Sequence, residues 1–172
     1  VRYLAIDLGD KRTGFAAGDD VVGLVQPLSV VEAHTPALQL RASMRVIDEY
    51  GPDRIVLGLP YNMDGTEGPR AKLVRDFAAA LEKAITAALG PHTRLRIALH
   101  DERLSSFAAE QKLNRTGRTH AEKKALRDAL AACAILEDFL AVQRGDRRAG
   151  PPADAGGDAD DEGVPGGEGP DA

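Results

Sequence analysis

Two Gly-Pro pairs, Gly51-Pro52 and Gly90-Pro91, constrain this chain more than any other feature. Each closes a helix-like stretch, about 35–50 and 70–89, and each is followed within a few residues by a short apolar run, "RIVLGLP" (54–60) or "RLRIALH" (94–100). Proline cannot continue a helix, and glycine takes the left-handed turn that ends one. Strands separated by helices pair in parallel. Ahead of them lie three strand-like runs joined by short turns, "RYLAIDL" (2–8), "TGFAAG" (13–18) and "VVGLVQPLSVV" (21–31), with Gly18-Asp19-Asp20 as one turn. Such a meander is antiparallel. Thr35-Pro36 supplies a cap and a first-turn proline for the first helix. "SSFAAEQKLNR" (105–115) reads as a short helix, and Thr119 with Glu122 forms a capping box for the last one, about 120–143. The expected fold is a mixed α/β sheet of five strands, with β1-β2-β3 antiparallel, the later strands parallel, and helices on its faces. The first run is apolar on both faces, as a central strand requires.

Length allows one domain with a sizeable core, expected over 1–145. Residues 150–172, "GPPADAGGDADDEGVPGGEGPDA", hold seven acids and no Lys or Arg. Too little of this stretch is apolar to order it, so 146–172 is expected to be a disordered acidic tail. The net charge of −5 therefore misleads: without residues 150–172, 20 acids face 22 basic residues, and a nucleic-acid partner is not excluded. No apolar run reaches membrane-spanning length, and the first residues lack a signal-peptide pattern. A cytoplasmic protein without membrane contact is expected. The lone Cys133 has no disulfide partner within the chain. Its small and apolar neighbours suit a buried, inert thiol.

Asp7 is the anomaly of the first run, a carboxylate among apolar side chains, which is costly unless it is held. Glu102 follows the 94–100 run in "HDERLS". Asp128 shares a helical stripe with Ala132, Ile135 and Phe139. Each acid has an ordinary explanation: a backbone turn for Asp7, solvent for Glu102, a pairing with Lys124 for Asp128. Three acids converging at strand ends repel unless a cation lies among them, and oxygen-only ligands suit Mg²⁺ or Mn²⁺. Such sites serve phosphodiester hydrolysis. The four histidines show no zinc-ligand spacing, and no nucleophile-elbow motif is present. Basic residues accompany the acids: Lys11 and Arg12 near Asp7, Arg103 beside Glu102, and Arg115, Arg118 and Lys124 ahead of Asp128. They are expected to hold phosphates without reading bases, the loop at 114–120 acting as a flap. Aromatic residues make up only 4% of the chain, so stacking platforms are few.

"IDLGDKRTGFA" (6–16), "GLPYNMDGTEGP" (58–69), "HDERLS" (100–105) and "RDALAACAILEDFL" (127–140) together resemble the four signature blocks of the YqgF/RuvX family, in order, over about residues 1–143. The resemblance implies a ribonuclease-H-like fold, with Asp7, Glu102 and Asp128 as catalytic metal ligands for one or two ions. It implies nuclease activity on structured nucleic acid, with RNA at the 5′ end of pre-16S rRNA favoured and branched DNA of the Holliday-junction type the alternative. Ribosomal precursor particles are then candidate partners, and junction cleavage would call for a homodimer. The block at 58–69 implies that Asn62 and Thr66 help position substrate. Cys133 and Ala134 stand where the family more often carries bulkier aliphatics, and the acidic tail is outside its pattern. Two other readings of the residues are a phosphate-loop ATPase, for which a second domain is needed, and a non-catalytic nucleic-acid binder, for which three acids serve no purpose.

Overall fold

The computed structural model describes residues 1–102 and 120–148; within the latter segment side chains are described for 130–145. The elements are β1 (Arg2–Leu8), β2 (Arg12–Asp19), β3 (Val25–Glu32), α1 (Pro36–Tyr50), β4 (Arg54–Leu59), α2 (Pro69–Leu89), β5 (Arg96–Asp101) and a last helix, α3 (His120–Arg148). The five strands form one sheet in the order β3-β2-β1-β4-β5. β1–β2 and β2–β3 are antiparallel; β1–β4 and β4–β5 are parallel. This is the mixed sheet expected from the order of runs, with β1 in the middle.

Side chains alternate across the sheet and build two cores. Leu4, Ile6, Phe15, Ile55 and Leu57 pack under α1 and α2, with Val46, Val74, Phe77 and Leu81. Tyr3, Ala5, Ala16 and Val56 pack under α3, with Ala132, Ile135, Leu136 and Leu140. Cys133, the one cysteine of the chain, is buried there. Thr35 caps α1 through its hydroxyl, which accepts from the Leu38 N–H, and Gly51 ends the helix at φ 61°.

Three elements differ from expectation by more than one residue at a boundary. Hydropathy starts the third strand at Val21, yet Val21 and Val22 are exposed and β3 begins at Val25. The Asp19 carboxylate accepts from the Val21 and Val22 N–H groups at 2.7 and 3.0 Å, and the Gly23 N–H donates to the Asp19 carbonyl at 2.9 Å with Gly23 at φ 72°. Local side-chain-to-backbone bonds thus override the apolar run. β5 spans Arg96–Asp101 instead of 94–100, because its parallel ladder with β4 starts at Arg54↔Arg96. α3 continues to Arg148, beyond the 143 expected for the last helix and the 145 expected for the domain. The segment expected as a short helix at 105–115 and the tail from 149 lie outside the described residues.

Candidate active site

Asp7 is the last but one residue of the central strand. Its partner on β2 is Gly14. On the other side, β1 and β4 run in register through Ile6↔Leu57, so the next residue of β4 beside Asp7 is Gly58. Gly58 in turn pairs with His100 of β5. Asp7 therefore stands between two glycines at the C-terminal end of the sheet. By alternation it shares the α3 face with Tyr3 and Ala5.

Glu102 lies just beyond β5 and extends the parallel ladder by one bond, its N–H donating to the Leu59 carbonyl at 3.2 Å. Its side chain folds back over Gly58. A β-carbon at position 58 would lie 1.9 Å from Glu102 Oε1 and 2.6 Å from Ile135 Cδ1. The absent side chain of Gly58 is the space the carboxylate occupies, a close approach only glycine permits. Burial and then the nearby charge of Asp7 push the Glu102 carboxyl up from 4.5 to about 7, with Asp101 adding to the rise and the Arg70 guanidinium opposing it. Two acids from distant parts of the chain are thus brought together, one of them desolvated.

The third acid of the expected set, Asp128, belongs to α3, within the part whose side chains are not described. The helix axis can be followed. Ile135 lies over Gly58, Leu136 against Gly18, and Phe139 against Tyr3 with ring centroids 5.7 Å apart. α3 therefore runs back from the strand ends toward the start of β1. Position 128 is two turns before Ile135, roughly 10 Å toward the strand ends, on the stripe that carries the buried Ala132 and Ile135. α3 is also tied to β5, where His100 Nε2 and Asp138 Oδ2 are 2.7 Å apart and the His100 ring meets Phe139 edge-on.

Among the described residues, no group of three His, Cys, Asp or Glu side chains forms a metal-binding cluster. Asp7 and Glu102 fit a hard divalent cation: both donate oxygen only, they repel each other, and Glu102 is held in the hollow over Gly58 where a cation would offset both burial and repulsion.

The expected phosphate ligands fare differently. Lys11 is exposed in the β1–β2 turn, its carbonyl accepting from the Ala33 N–H. Arg12 shares the sheet face of Asp7 by alternation, and its Nε is 3.9 Å from the Glu32 carboxylate on β3. Asn62 and Thr66 hold their own loop together. Asn62 Nδ2 donates to Thr66 Oγ1 at 2.9 Å, and Thr66 donates to Asp64 through both its N–H and its hydroxyl. Arg103, Arg115 and Arg118 lie outside the described residues, and the Lys124 side chain is not described.

Sequence reasoning missed two residues. Gly58 was read as one residue of a buried strand. Arg70, in the first turn of α2, was one basic residue among 22. Its Nη2 donates to the Leu8 carbonyl at 3.3 Å, its Nη1 is 3.5 Å from Asp10 Oδ1, and its charge reaches Glu102. The signals were present: a glycine inside a strand, and Gly68-Pro69 starting a helix beside a loop.

A family model described as RuvX, Holliday junction resolvase, matches residues 1–142. The chain belongs to the RuvX family. A family relative from Anaeromyxobacter sp. (strain K), named "Putative pre-16S rRNA nuclease", is 43% identical over 149 residues, spanning 87% of this chain and 99% of its own. A relative of the same name from Chloroflexus aurantiacus (strain ATCC 29366 / DSM 635 / J-10-fl) is 38% identical over 141 residues, 82% of this chain and 87% of its own. Two solved structures share the fold. Fowlpox virus resolvase, solved with substrate Holliday junction DNA, has a TM-score of 0.52 at 11% identity, covering 83% of this chain and 99% of its own. Thermus thermophilus RuvC, solved with a Holliday junction substrate, has a TM-score of 0.50 at 14% identity, covering 84% and 96%. No helix among the described residues is long and apolar enough to cross a membrane.

Proposed function

We propose that this chain is a divalent-metal-dependent phosphodiesterase that cuts structured RNA, with the 5′ end of pre-16S rRNA as its substrate. The carrying observation is the Glu102 carboxylate folded over Gly58 beside Asp7, at the end of the central strand. The names of the family relatives support the choice of RNA. Asp7 and Glu102 would hold Mg²⁺ or Mn²⁺, with Asp128 completing the set from α3 and one or two ions bound. Held by these carboxylates, a bound divalent ion would supply Lewis-acid activation of water and charge stabilisation for the leaving oxygen.

The protein's own part is positional. Gly58, beside Asp7, leaves room for the Glu102 carboxylate to fold over the end of β4. Burial of Glu102 removes competing water from the hollow. Arg70, between Leu8 and Asp10, faces the incoming phosphate with a fixed planar cation. Lys11, Arg12, Arg103, Arg115, Arg118 and Lys124 add sequence-independent phosphate attraction. Asn62 and Thr66 act through the loop they brace. A cytoplasmic location and ribosomal precursor particles as partners accompany this substrate.

The test is purified protein against pre-16S rRNA fragments and four-way DNA junctions of matched length, with Mg²⁺, Mn²⁺ or EDTA. Metal-dependent cutting of the RNA is expected, and it should vanish in Asp7→Asn. Cutting of the junction alone would transfer the activity to branched DNA and would call for a homodimer. Binding without cutting, in any metal, would leave a nucleic-acid binder.

A further inference from the structure

We propose that Met63, at the tip of the loop between β4 and α2, packs against the base face at the end of a substrate stem and takes the place of the first unpaired base there. The inference rests on the nucleic-acid reading above and names what the protein recognises near the cut, the junction of paired and unpaired strand. Met63 is 96% exposed, the most exposed of the large apolar side chains among the described residues. On a loose loop a single such side chain would mean little. This loop is braced. Tyr61 and Glu67 form an antiparallel bridge across its base. Above the bridge the Asn62 N–H donates to the Thr66 carbonyl and the Gly65 N–H to the Asn62 carbonyl, each at 2.9 Å, with Gly65 at φ 84°. Arg75 of α2 donates to the Glu67 carboxylate through Nε, at 2.7 Å, and through Nη2.

The side chains of the tip divide into two kinds. Asn62, Asp64 and Thr66 bond to one another and hold the turn. Met63, between Asn62 and Asp64, stands in solvent. Hydrogen bonds from the Thr66 hydroxyl and N–H keep the Asp64 carboxyl below its usual range, so the tip carries a negative charge beside Met63 at neutral pH. That charge repels a phosphate. A base face is uncharged, and a methionine sulfur is attracted to aromatic rings. The tip therefore suits bases, while the exposed Lys11 and Arg70 suit the backbone. Position sets which bases are met. β4 ends at Leu59, whose carbonyl accepts from the Glu102 N–H at 3.2 Å. Met63 is four residues further on, so its Cα lies within about 14 Å of the Leu59 Cα, a few nucleotides from the acid pair. Prying apart a stacked step inside a stem is costly, whereas at a stem end only an unpaired neighbour has to move.

The experiment uses two RNA stems, one with a single-stranded 3′ extension and one with a 5′ extension. Each carries 2-aminopurine at the first unpaired position or, as a control, inside the stem, and is titrated with protein in Ca²⁺. Wild type should brighten the first unpaired position of at least one stem, because that base loses its stack, and leave the stem interior unchanged. Met63→Ala should lose the brightening and about twofold to tenfold in affinity, the range of one methionine contact with an aromatic ring. Its salt slope should stay that of wild type, since no phosphate contact is removed. Met63→Leu should keep the brightening. Met63 is exposed, so neither variant disturbs a buried contact. No brightening in wild type overturns the proposal, as do equal brightening in Met63→Ala, a reduced salt slope in Met63→Ala, or loss of brightening in Met63→Leu. A change of oligomeric state in Met63→Ala, measured by sedimentation, would make the tip a contact between copies and also overturn it. Brightening without cleavage in any metal would retain the base contact and remove the hydrolase; cleavage without brightening would do the reverse.

Discussion

Replacing Glu102 by Gln should stabilise the metal-free protein at alkaline pH and leave it nearly unchanged in acid. Burial and the Asp7 charge hold the Glu102 carboxyl at about 7 in place of 4.5. Between those two values the folded chain binds a proton that the unfolded chain releases, so stability falls as pH rises through this window. Below it, both states are protonated and there is no penalty. Above it, the folded state carries the full cost of an ionised, desolvated carboxylate beside another, about 3 kcal/mol. Gln has nearly the same shape and no charge. A buried amide with incomplete partners offsets part of the gain, which leaves about 2 kcal/mol at pH 8. For a domain of this size that is roughly 6 °C in Tm. The assay is urea and thermal unfolding of both proteins in EDTA at pH 4.5, 6 and 8. The wild-type curve should approach the variant's as pH falls. Addition of Mn²⁺ at pH 8 should raise the wild type and close or reverse the gap, since a ligand that binds only the folded state stabilises it. Equal midpoint differences at pH 4.5 and pH 8 would refute the placement of the carboxylate in this hollow.

Gly58→Ala should displace the Glu102 carboxylate, because the new methyl would stand 1.9 Å from Oε1 and 2.6 Å from Ile135 Cδ1; a loss of about 1–3 kcal/mol in urea unfolding together with loss of cleavage is expected. Asp7→Asn should remain folded by circular dichroism, lose cleavage, and unfold in EDTA at no lower temperature than wild type, as it removes the charge that opposes Glu102. Arg70→Ala should weaken RNA binding and reduce the salt slope by about one phosphate contact, near 0.7–0.9, in a titration that leaves Tm within a few degrees because Arg70 is exposed. Arg115→Ala with Arg118→Ala should act on the slope in the same sense, and an unchanged slope would return those two residues to ordinary surface.

Much of this was legible because it depends on local chemistry. The two Gly-Pro stops set the ends of α1 and α2, the apolar runs after them set β4 and β5, and connection lengths gave the antiparallel and parallel pairings but not the strand order β3-β2-β1-β4-β5. Asp7 stood out as an acid within an apolar strand, whereas Glu102 on its own reads as a solvated loop acid and became a candidate only together with the other acids and the family resemblance; the sheet brings the two together. What could not be read is whatever depends on a side chain's path through space. The alternation in "RIVLGL" shows that position 58 faces a core, not that a carboxylate from the next strand lies over it. Arg12 follows Asp7 closely in sequence, yet only the register of β2 with β3 reveals Glu32 as its ion-pair neighbour. Val21 and Val22 have strand composition, but the Asp19 side chain captures their N–H groups first. The boundary of β3 was a contest between hydropathy and a local turn, and the turn prevailed.

The α3 face of the sheet has a consequence for how the chain is made. Tyr3, Ala5, Ala16 and Val56 are covered by residues 132–140, which arrive last. A chain emerging from the ribosome has both of its strand-end acids, Asp7 and Glu102, while that face is still bare and the helix that closes it is unsynthesised. Domains fold as units once their parts are present. The strand-end acids therefore gain their α3 cover only after nearly the whole domain has been translated, so a nascent chain that has not yet reached residue 140 carries Asp7 and Glu102 on an unclosed face.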